Sequence, residues 1–234
     1  MEHSPTKPRN IYVKRVGRKL RKAQQSYLEH NLPVYDLLQY LTHTPEGQRI
    51  DLQGYFKQLE PIWLEIGFGS GEHLIHQAKL NPNGGLIGCE VFLNGVASLL
   101  GKLQNKRFSN IGLFTHDVRD LFDLLPDRSM SRVFLLYPDP WPKKRHYRRR
   151  FVNPDFLNPL ARIMTKGAEL RIATDIPDYC RQAIEELNKH PQFNWPVESM
   201  SDWQQSWSDW YSTRYEQKAI REGRKPIYMT FIRI

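Results

Sequence analysis

Ile62-Trp-Leu-Glu-Ile-Gly67-Phe-Gly69-Ser-Gly71-Glu-His-Leu-Ile-His-Gln-Ala78 decides the fold. Residues 62–66 are apolar apart from Glu65, a run that suits a strand. Three glycines at alternate positions then permit a tight turn and let a ligand approach the backbone, whose free N–H groups face outward. Leu74, Ile75 and Ala78 fall on one face of the helix that follows.

The same unit repeats along the chain. Residues 85–90 read as a second strand, and Val96, Leu99, Leu100 and Leu103 mark the next helix at i, i+3, i+4 and i+7. Residues 111–116 give a third strand and 133–137 a fourth. Phe156, Leu157, Leu160, Ile163 and Met164 predict a helix stopping near Gly167, and 170–174 a fifth strand. Cys180, Ala183, Ile184 and Leu187 give another helix, and residues 227–234 alternate as a last strand. Strands alternating with helices mean right-handed βαβ units and a largely parallel sheet. Before this core, Leu32, Leu37, Leu38, Leu41 and Leu52 suggest a short covering helix and loop. The Trp/Ser-rich stretch 200–215 is expected to cover the mouth of the site.

Charge is unevenly placed. The 234 residues carry a net +9, and residues 1–22 hold eight cations (Lys7, Arg9, Lys14, Arg15, Arg18, Lys19, Arg21, Lys22) against Glu2. The remainder is close to balance, so the expected division is a mobile basic arm, 1–30, and one folded domain, 31–234. Such an arm suits a polyanion, and it equally suits a solubilising tail. The two cysteines, Cys89 and Cys180, fall in core patterns, and no C-x-x-C, H-E-x-x-H or zinc-ligand spacing occurs. No metal is expected. No apolar run approaches the roughly 20 residues that span a bilayer, and the N-terminus lacks an apolar signal core. A cytoplasmic protein without membrane attachment is the expectation.

Three details narrow the ligand at the glycine turn. The spacing G-x-G-x-G is one residue shorter than the dinucleotide fingerprint. Glu65 stands two residues before the first glycine, where a diphosphate would meet repulsion. Carboxylates recur where strands end: Glu90, Asp117 and Asp139. A ligand among these acids is expected to be cationic or rich in hydroxyl and amino donors. S-adenosylmethionine fits, with its ammonium, sulfonium, ribose hydroxyls and adenine amine. Glu90, 23 residues after Gly67, is placed for the ribose hydroxyls and Asp117 for the adenine amine. Singly, each acid also reads as a helix cap or surface charge. An NAD-dependent dehydrogenase is disfavoured by Glu65 and by the glycine spacing.

The fourth strand ends in Pro138-Asp-Pro-Trp-Pro142, where three prolines fix φ and remove backbone donors, so the chain must leave the sheet. A carboxylate and an indole are thereby held on a stiff turn at a strand's carboxyl end, where open α/β sheets bind ligands. Six Lys/Arg and a His follow within residues 143–150. That juxtaposition suggests a small reacting group held beside a phosphate backbone.

Glu65-x-Gly67-x-Gly69-x-Gly71, Glu90, Asp117, Pro138-Asp-Pro-Trp-Pro-Lys-Lys-Arg-His-Tyr-Arg-Arg-Arg150, Ala173-Thr-Asp175 and Thr213-Arg-Tyr-Glu216 together resemble the bacterial tRNA (guanine-N7-)-methyltransferases. The resemblance runs from about residue 61 to the C-terminus. Its P-D-P-W-x-K-x-R-H segment is highly specific, whereas the glycine motif is shared by many methyltransferases. Residues 1–50 match only in being basic and variable. The resemblance implies an α/β, Rossmann-like class I S-adenosylmethionine-dependent methyltransferase fold, with a mostly parallel seven-stranded sheet and helices on both faces. It implies transfer of methyl to N7 of a guanine in the tRNA variable loop, by a monomer or homodimer. Cofactor contacts fall to Glu65, Gly67, Gly69, Gly71, Glu90, Asp117 and Asp139. Substrate contacts fall to Lys143, Asp175, Thr213, Arg214, Tyr215 and Glu216, and RNA contacts to Arg145, His146, Tyr147, Arg148, Arg149 and Arg150.

The chemistry agrees with these residue types. Guanine N7 has an in-plane lone pair and no proton, so attack on a methyl group needs alignment and exclusion of water, not a general base. The product base is positively charged, and Asp139 is assigned to stabilise that charge as it develops; it reads equally as a binding residue only. Guanine's N1–H and N2–H₂ call for a carboxylate, with Asp175 and Glu216 the candidates and Thr213 adding a hydroxyl. Asp175 also suits the cap of the helix entered at Ile176-Pro177. Trp141 either stacks on a base or plugs the floor of the site. An inactive RNA-binding relative would leave the ordered acids without purpose. Methyltransferases acting on exocyclic amines commonly carry Asn/Asp-Pro-Pro-aromatic where this chain has Pro-Asp-Pro-Trp.

Overall fold

A computed structural model describes residues 15–45, 47–104 and 107–234. Helix α1 (Lys22–Ser26) runs through a π-helical turn (Tyr27–Asn31) into α2 (Leu32–Tyr35). A 3₁₀ turn (Leu37–Tyr40) leads to a hairpin of β1 (Leu41–Thr44) and β2 (Gly47–Ile50), and α3 (Leu52–Phe56) follows. The alternating core comprises β3 (Ile62–Ile66), α4 (Glu72–Leu80), β4 (Gly85–Cys89), α5 (Leu93–Leu103), β5 (Ile111–Phe114), α6 (Val118–Leu124) and β6 (Met130–Leu136). Then come α7 (Pro154–Ile163), β7 (Met164–Thr174), α8 (Pro177–Lys189), β8 (Phe193–Asn194), α9 (Ser201–Gln204), α10 (Arg214–Arg221) and β9 (Ile227–Arg233).

Seven strands form one sheet in the order β5-β4-β3-β6-β7-β9-β8. The five from β5 to β7 are parallel, and β9 returns antiparallel between β7 and β8. The chain order reverses beside β3, between β4 and β6. At such a switch point the connections leave in opposite directions and open a crevice above the strand ends.

Alternation along β6 separates two cores. Val133 and Leu135 face a cluster covered by α3, α6, α7 and α8, with Leu121, Leu160 and Ala183 fully buried. Phe134 and Leu136 face the other side. There, α4 and α5 cover β4 and β5 with Leu74, Val96, Leu99 and Leu100. Over β6, β7 and β9 the cover is instead aromatic: Trp207 and Trp210 pack on Phe134, Ala173 and Tyr228. The strands offer polar side chains beneath that cover. Arg132 and Arg171 pair with Glu169 at 2.7 and 2.9 Å and with Asp209 at 3.2 and 2.7 Å. Trp207, Asp209 and Trp210 of the Trp/Ser stretch therefore lie over the sheet face, pinned by Asp209, and only the end of the stretch, Thr213 and Tyr215, reaches the mouth of the site.

Within the expected arm, Lys7, Arg9 and Lys14 lie outside the described residues. Its described part makes contacts with the core: Tyr27, Leu28, Leu32 and Tyr35 pack on the cluster under α5, and residues 15–18 hydrogen-bond to Leu93 and Asn94. Two further expectations change. The expected loop before the core contains the β1–β2 hairpin. Gly167, read as a helix stop, has φ +82° and lies in β7 at a register shift opposite Met130–Arg132, so it serves a bulge and the helix ends at Ile163.

Candidate active site

A cavity of about 620 Å³ opens above the carboxyl ends of β3, β4 and β6. Ile66, Gly67 and Gly69 form one wall, Glu90 and Phe92 the next, Asp117 to Arg119 the third, and Leu135 to Asp139 with Trp141 the fourth. Arg148, Arg149 and Tyr215 close the outer side.

The glycine turn is shaped by its two neighbours. Gly67, Gly69 and Gly71 all have left-handed φ, +73°, +57° and +73°. Gly69 donates its N–H to Glu90 Oε2 at 2.8 Å, and Phe92 N–H donates to Oε1 at 2.9 Å. The donor that a diphosphate would need is thus occupied by a carboxylate. Burial raises the Glu90 carboxyl above its ordinary pKa, and those backbone donors oppose the rise. Asp117 caps α6 by accepting from Arg119 N–H at 2.9 Å and also pairs with the Arg119 guanidinium.

Asp139 differs from the other acids. Burial alone raises its pKa, and no hydrogen bond or ion pair to it is found among the described residues. Its turn is bracketed by two non-glycine residues in left-handed conformation, Tyr137 (φ +51°) and Trp141 (φ +39°). Each costs of order 1 kcal/mol or more, and persists where the surroundings over-determine it. Outside the turn, the Trp141 ring meets the Arg149 guanidinium at 4.9 Å and His146 edge-on at 5.7 Å.

A cavity lined by one carboxylate held by backbone donors, another left unpaired among the described residues, and apolar walls suits a cationic ligand rich in hydroxyl donors. A family model described as "Putative methyltransferase" matches residues 59–229. A tRNA (guanine-N(7)-)-methyltransferase of Ruegeria pomeroyi is 53% identical over 233 residues, covering 99% of this chain and 98% of the relative. The chain belongs to the tRNA (guanine-N(7)-)-methyltransferase family. Two solved structures are similar in fold. An antibiotic-related methyltransferase superposes with TM-score 0.54 at 16% identity, over 79% of this chain and 93% of its own. A SAM-dependent O-methyltransferase from Thermotoga maritima gives TM-score 0.50 at 11% identity, over 93% of this chain and 67% of its own. The fold is Rossmann-like and of the class I methyltransferase type.

The residues that family resemblance singled out do not all meet in one place. Gly67, Gly69, Glu90, Asp117 and Asp139 line the cavity. Glu65 lies behind it, 4% exposed, and accepts from His73 Nδ1 at 2.8 Å beside a small recess shared with Gly67, Thr213 and Tyr215. Gly71 is turned into the helix packing: a Cβ there would lie 2.5 Å from Leu99 Cδ1. Tyr215 lines both cavity and recess, and Arg214 lies over its ring at 5.3 Å.

Five assigned residues are otherwise engaged. Glu216 is 2% exposed and accepts from Trp210 Nε1 and from the Tyr228 hydroxyl, so its carboxylate is spent inside the protein. Thr213 caps α10 by accepting from Glu216 N–H at 3.2 Å. Asp175 pairs with Arg224, and Thr174 Oγ1, not Asp175, takes the Ile176 N–H that opens α8. Arg150 is 1% exposed, with its guanidinium bonded to the protein's own oxygens. Tyr147, beside it, donates to Asp178. Lys143, Arg145 and Arg148 remain exposed along the 3₁₀ turn 144–149 and its start. His146 has its pKa lowered from the ordinary value by desolvation and by the cations Arg149, Arg145, Lys143 and Arg148 around it.

Phe92 and Arg119 line the cavity without having been anticipated. An aromatic two residues after the acid that ends the second strand is a usable signal for the first. The second is visible only once Asp117 is known to be a helix cap.

Proposed function

We propose that this chain transfers the methyl group of S-adenosylmethionine to N7 of a guanine in tRNA, in the variable loop. Membership of the family supports the reaction, and the observation that carries it at the site is Asp139. That carboxylate lines the cavity wall, solvent-accessible and unpaired among the described residues, next to a turn that ends in exposed cations. Bound S-adenosylmethionine supplies an activated methyl group on a sulfonium.

The chain's own residues do the rest. Glu90 accepts from ribose hydroxyls, Asp117 faces the adenine end, and Gly67 and Gly69 give the backbone its close approach. Glu65 with His73 holds the turn from behind. Asp139 offers negative charge where positive charge develops on the base, worth at most about 4 kcal/mol at 4 Å and an effective dielectric near 20, before desolvation. Trp141, Leu136 and Tyr137 exclude water from that wall. Tyr215 and Arg214, beside Gly69, border the guanine; Asp175 and Lys143 flank it from the rim. Arg145, Arg148 and Arg149 follow phosphates, and His146 joins them as a ring N–H donor. The setting is cytoplasmic, and the arm adds affinity for RNA.

Methylation of bulk tRNA with labelled cofactor, followed by strand cleavage at N7-methylguanine, tests this. Label at one variable-loop guanine is expected. Label on another base, or on protein, would overturn the acceptor. Failure of calorimetry to detect cofactor uptake would overturn the enzyme.

A further inference from the structure

We propose that Arg150 is a positioning residue of the methyl-transfer site, gripping the turn that carries Asp139, and that it takes no part in holding RNA. The inference rests on the functional reading above. A guanidinium has five N–H donors, and in Arg150 all have a partner. Nε donates to the Pro140 carbonyl at 2.7 Å. Nη1 donates to Gln182 Oε1 at 2.7 Å and to the Asp178 carbonyl at 3.3 Å. Nη2 donates to Asp178 Oδ2 at 2.7 Å and reaches the Trp141 carbonyl at 3.5 Å. The Tyr147 ring covers the group at 3.7 Å, and the Tyr147 hydroxyl closes the arrangement on Asp178.

The partners explain the purpose. Pro140 and Trp141 immediately follow Asp139, in a turn whose flanking residues, Tyr137 and Trp141, hold left-handed backbone that side chains disfavour. Three prolines stiffen this turn but leave its carbonyls without strand partners. Arg150 supplies donors to those carbonyls from one side, while α8 fixes Arg150 through Asp178 and Gln182 from the other. The turn is thus referenced to a helix of the core, and Asp139 with it. A phosphate could reach the guanidinium only by breaking this set. Exposed Arg145 and Arg148, a few residues earlier, carry no such load.

The test compares Arg150→Lys, Arg150→Met and Gln182→Met with the wild-type protein, measuring kcat, KM for tRNA, cofactor Kd and tRNA Kd across a salt series. For Arg150→Met, kcat at saturating substrates is expected to fall about tenfold or more, since misplaced reacting groups forfeit alignment. Cofactor binding should weaken about threefold or more, through Asp139, with smaller losses for Arg150→Lys and Gln182→Met. The tRNA Kd should stay within about twofold, and its salt slope should match wild type. Normal kcat with weaker tRNA binding, and a slope shallower by about 0.7–0.9, would make Arg150 a phosphate ligand and overturn the proposal. So would unchanged kcat and cofactor affinity in all three variants. If neither Arg150 variant folds, Gln182→Met decides by the same criteria. Wild-type protein that methylates no tRNA would sink the functional reading instead; cofactor Kd in the variants would then still decide whether Arg150 places Asp139.

Discussion

Trp210 Nε1 donates to both carboxylate oxygens of Glu216 at 3.0 Å, tying the aromatic cover of the sheet to the first turn of α10. Tyr228 on β9 donates to the same carboxylate. Glu216 is therefore a buried acceptor shared by three elements. Replacing it by Ala strands two buried donors, at a cost of about 2 kcal/mol or more. Urea denaturation of Glu216→Ala should show that loss with the cofactor absent. Unchanged stability with a raised KM for tRNA would return Glu216 to the substrate.

Gly67 and Gly71 share φ +73° but differ in surroundings. A Cβ on Gly71 meets Leu99 at 2.5 Å, whereas none of the surrounding atoms lies within 4 Å of a Cβ on Gly67, which lines the cavity. Both Ala variants pay for left-handed backbone, roughly 1 kcal/mol. Gly71→Ala should lose about 1–3 kcal/mol more through overpacking. Gly67→Ala should instead bind cofactor at least several-fold more weakly, as the added methyl group enters the site. Thermal unfolding and calorimetry on the two proteins separate these outcomes.

The core was legible because periodicity reports burial. Residues 62–66 are a strand with matching ends, and the i, i+3, i+4, i+7 row from Val96 to Leu103 is the buried face of α5. The glycine turn, Glu90 and Asp139 were legible because strand ends point at the crevice. What the sequence could not show were contacts with partners distant in sequence. Nothing local to Arg150 distinguishes it from Arg148; its burial follows from Asp178 and Gln182 on α8. Glu216 is internal because Trp210 and Tyr228 meet it. The Trp-rich stretch has no helical or strand period because its pattern answers the polar row Arg132, Glu169 and Arg171 under it.

Arg145 and Arg148 should account for the electrostatics that Arg150 does not. Each replaced by Ala should weaken tRNA binding at low salt and flatten the log–log salt slope by about 0.7–0.9, with kcat little changed. A filter-binding titration across a salt series reads this directly. A slope that stays the same in both variants would remove the 3₁₀ turn from the phosphate path.

Residues 15–18 reach the Phe92 wall of the cavity. Leu93 N–H donates to the Arg15 carbonyl at 2.9 Å, Gly17 N–H to Asn94 Oδ1 at 3.0 Å, and Asn94 Nδ2 to the Arg18 carbonyl at 2.8 Å. Gly17 lies so near Phe92, a cavity wall, that a Cβ would stand 2.9 Å from Cζ. Deleting residues 1–14 should raise the tRNA Kd and leave cofactor binding alone. Deleting 1–21 removes the Phe92 and Asn94 contacts as well, and should weaken cofactor binding roughly fivefold, about 1 kcal/mol. Equal cofactor affinity in both truncations would show that the contacts do not reach the site.

Glu90 and Asp139 together set the response to pH. Desolvation raises each above its ordinary value, so each holds its proton to a higher pH in the folded protein than in the unfolded chain. The folded state therefore binds more protons across that window, and the stability these groups contribute declines as pH rises through it. A cation in the cavity favours the charged forms and pulls both pKa values back down. Cofactor affinity should thus increase with pH through the window and level off above it, with proton release on binding at the acid end. Calorimetry in two buffers of different ionisation enthalpy measures that release. Asp139→Asn should reduce it and leave the Glu90 share. Binding that takes up protons, or none at any pH, would mean that these carboxylates do not face the positive charge.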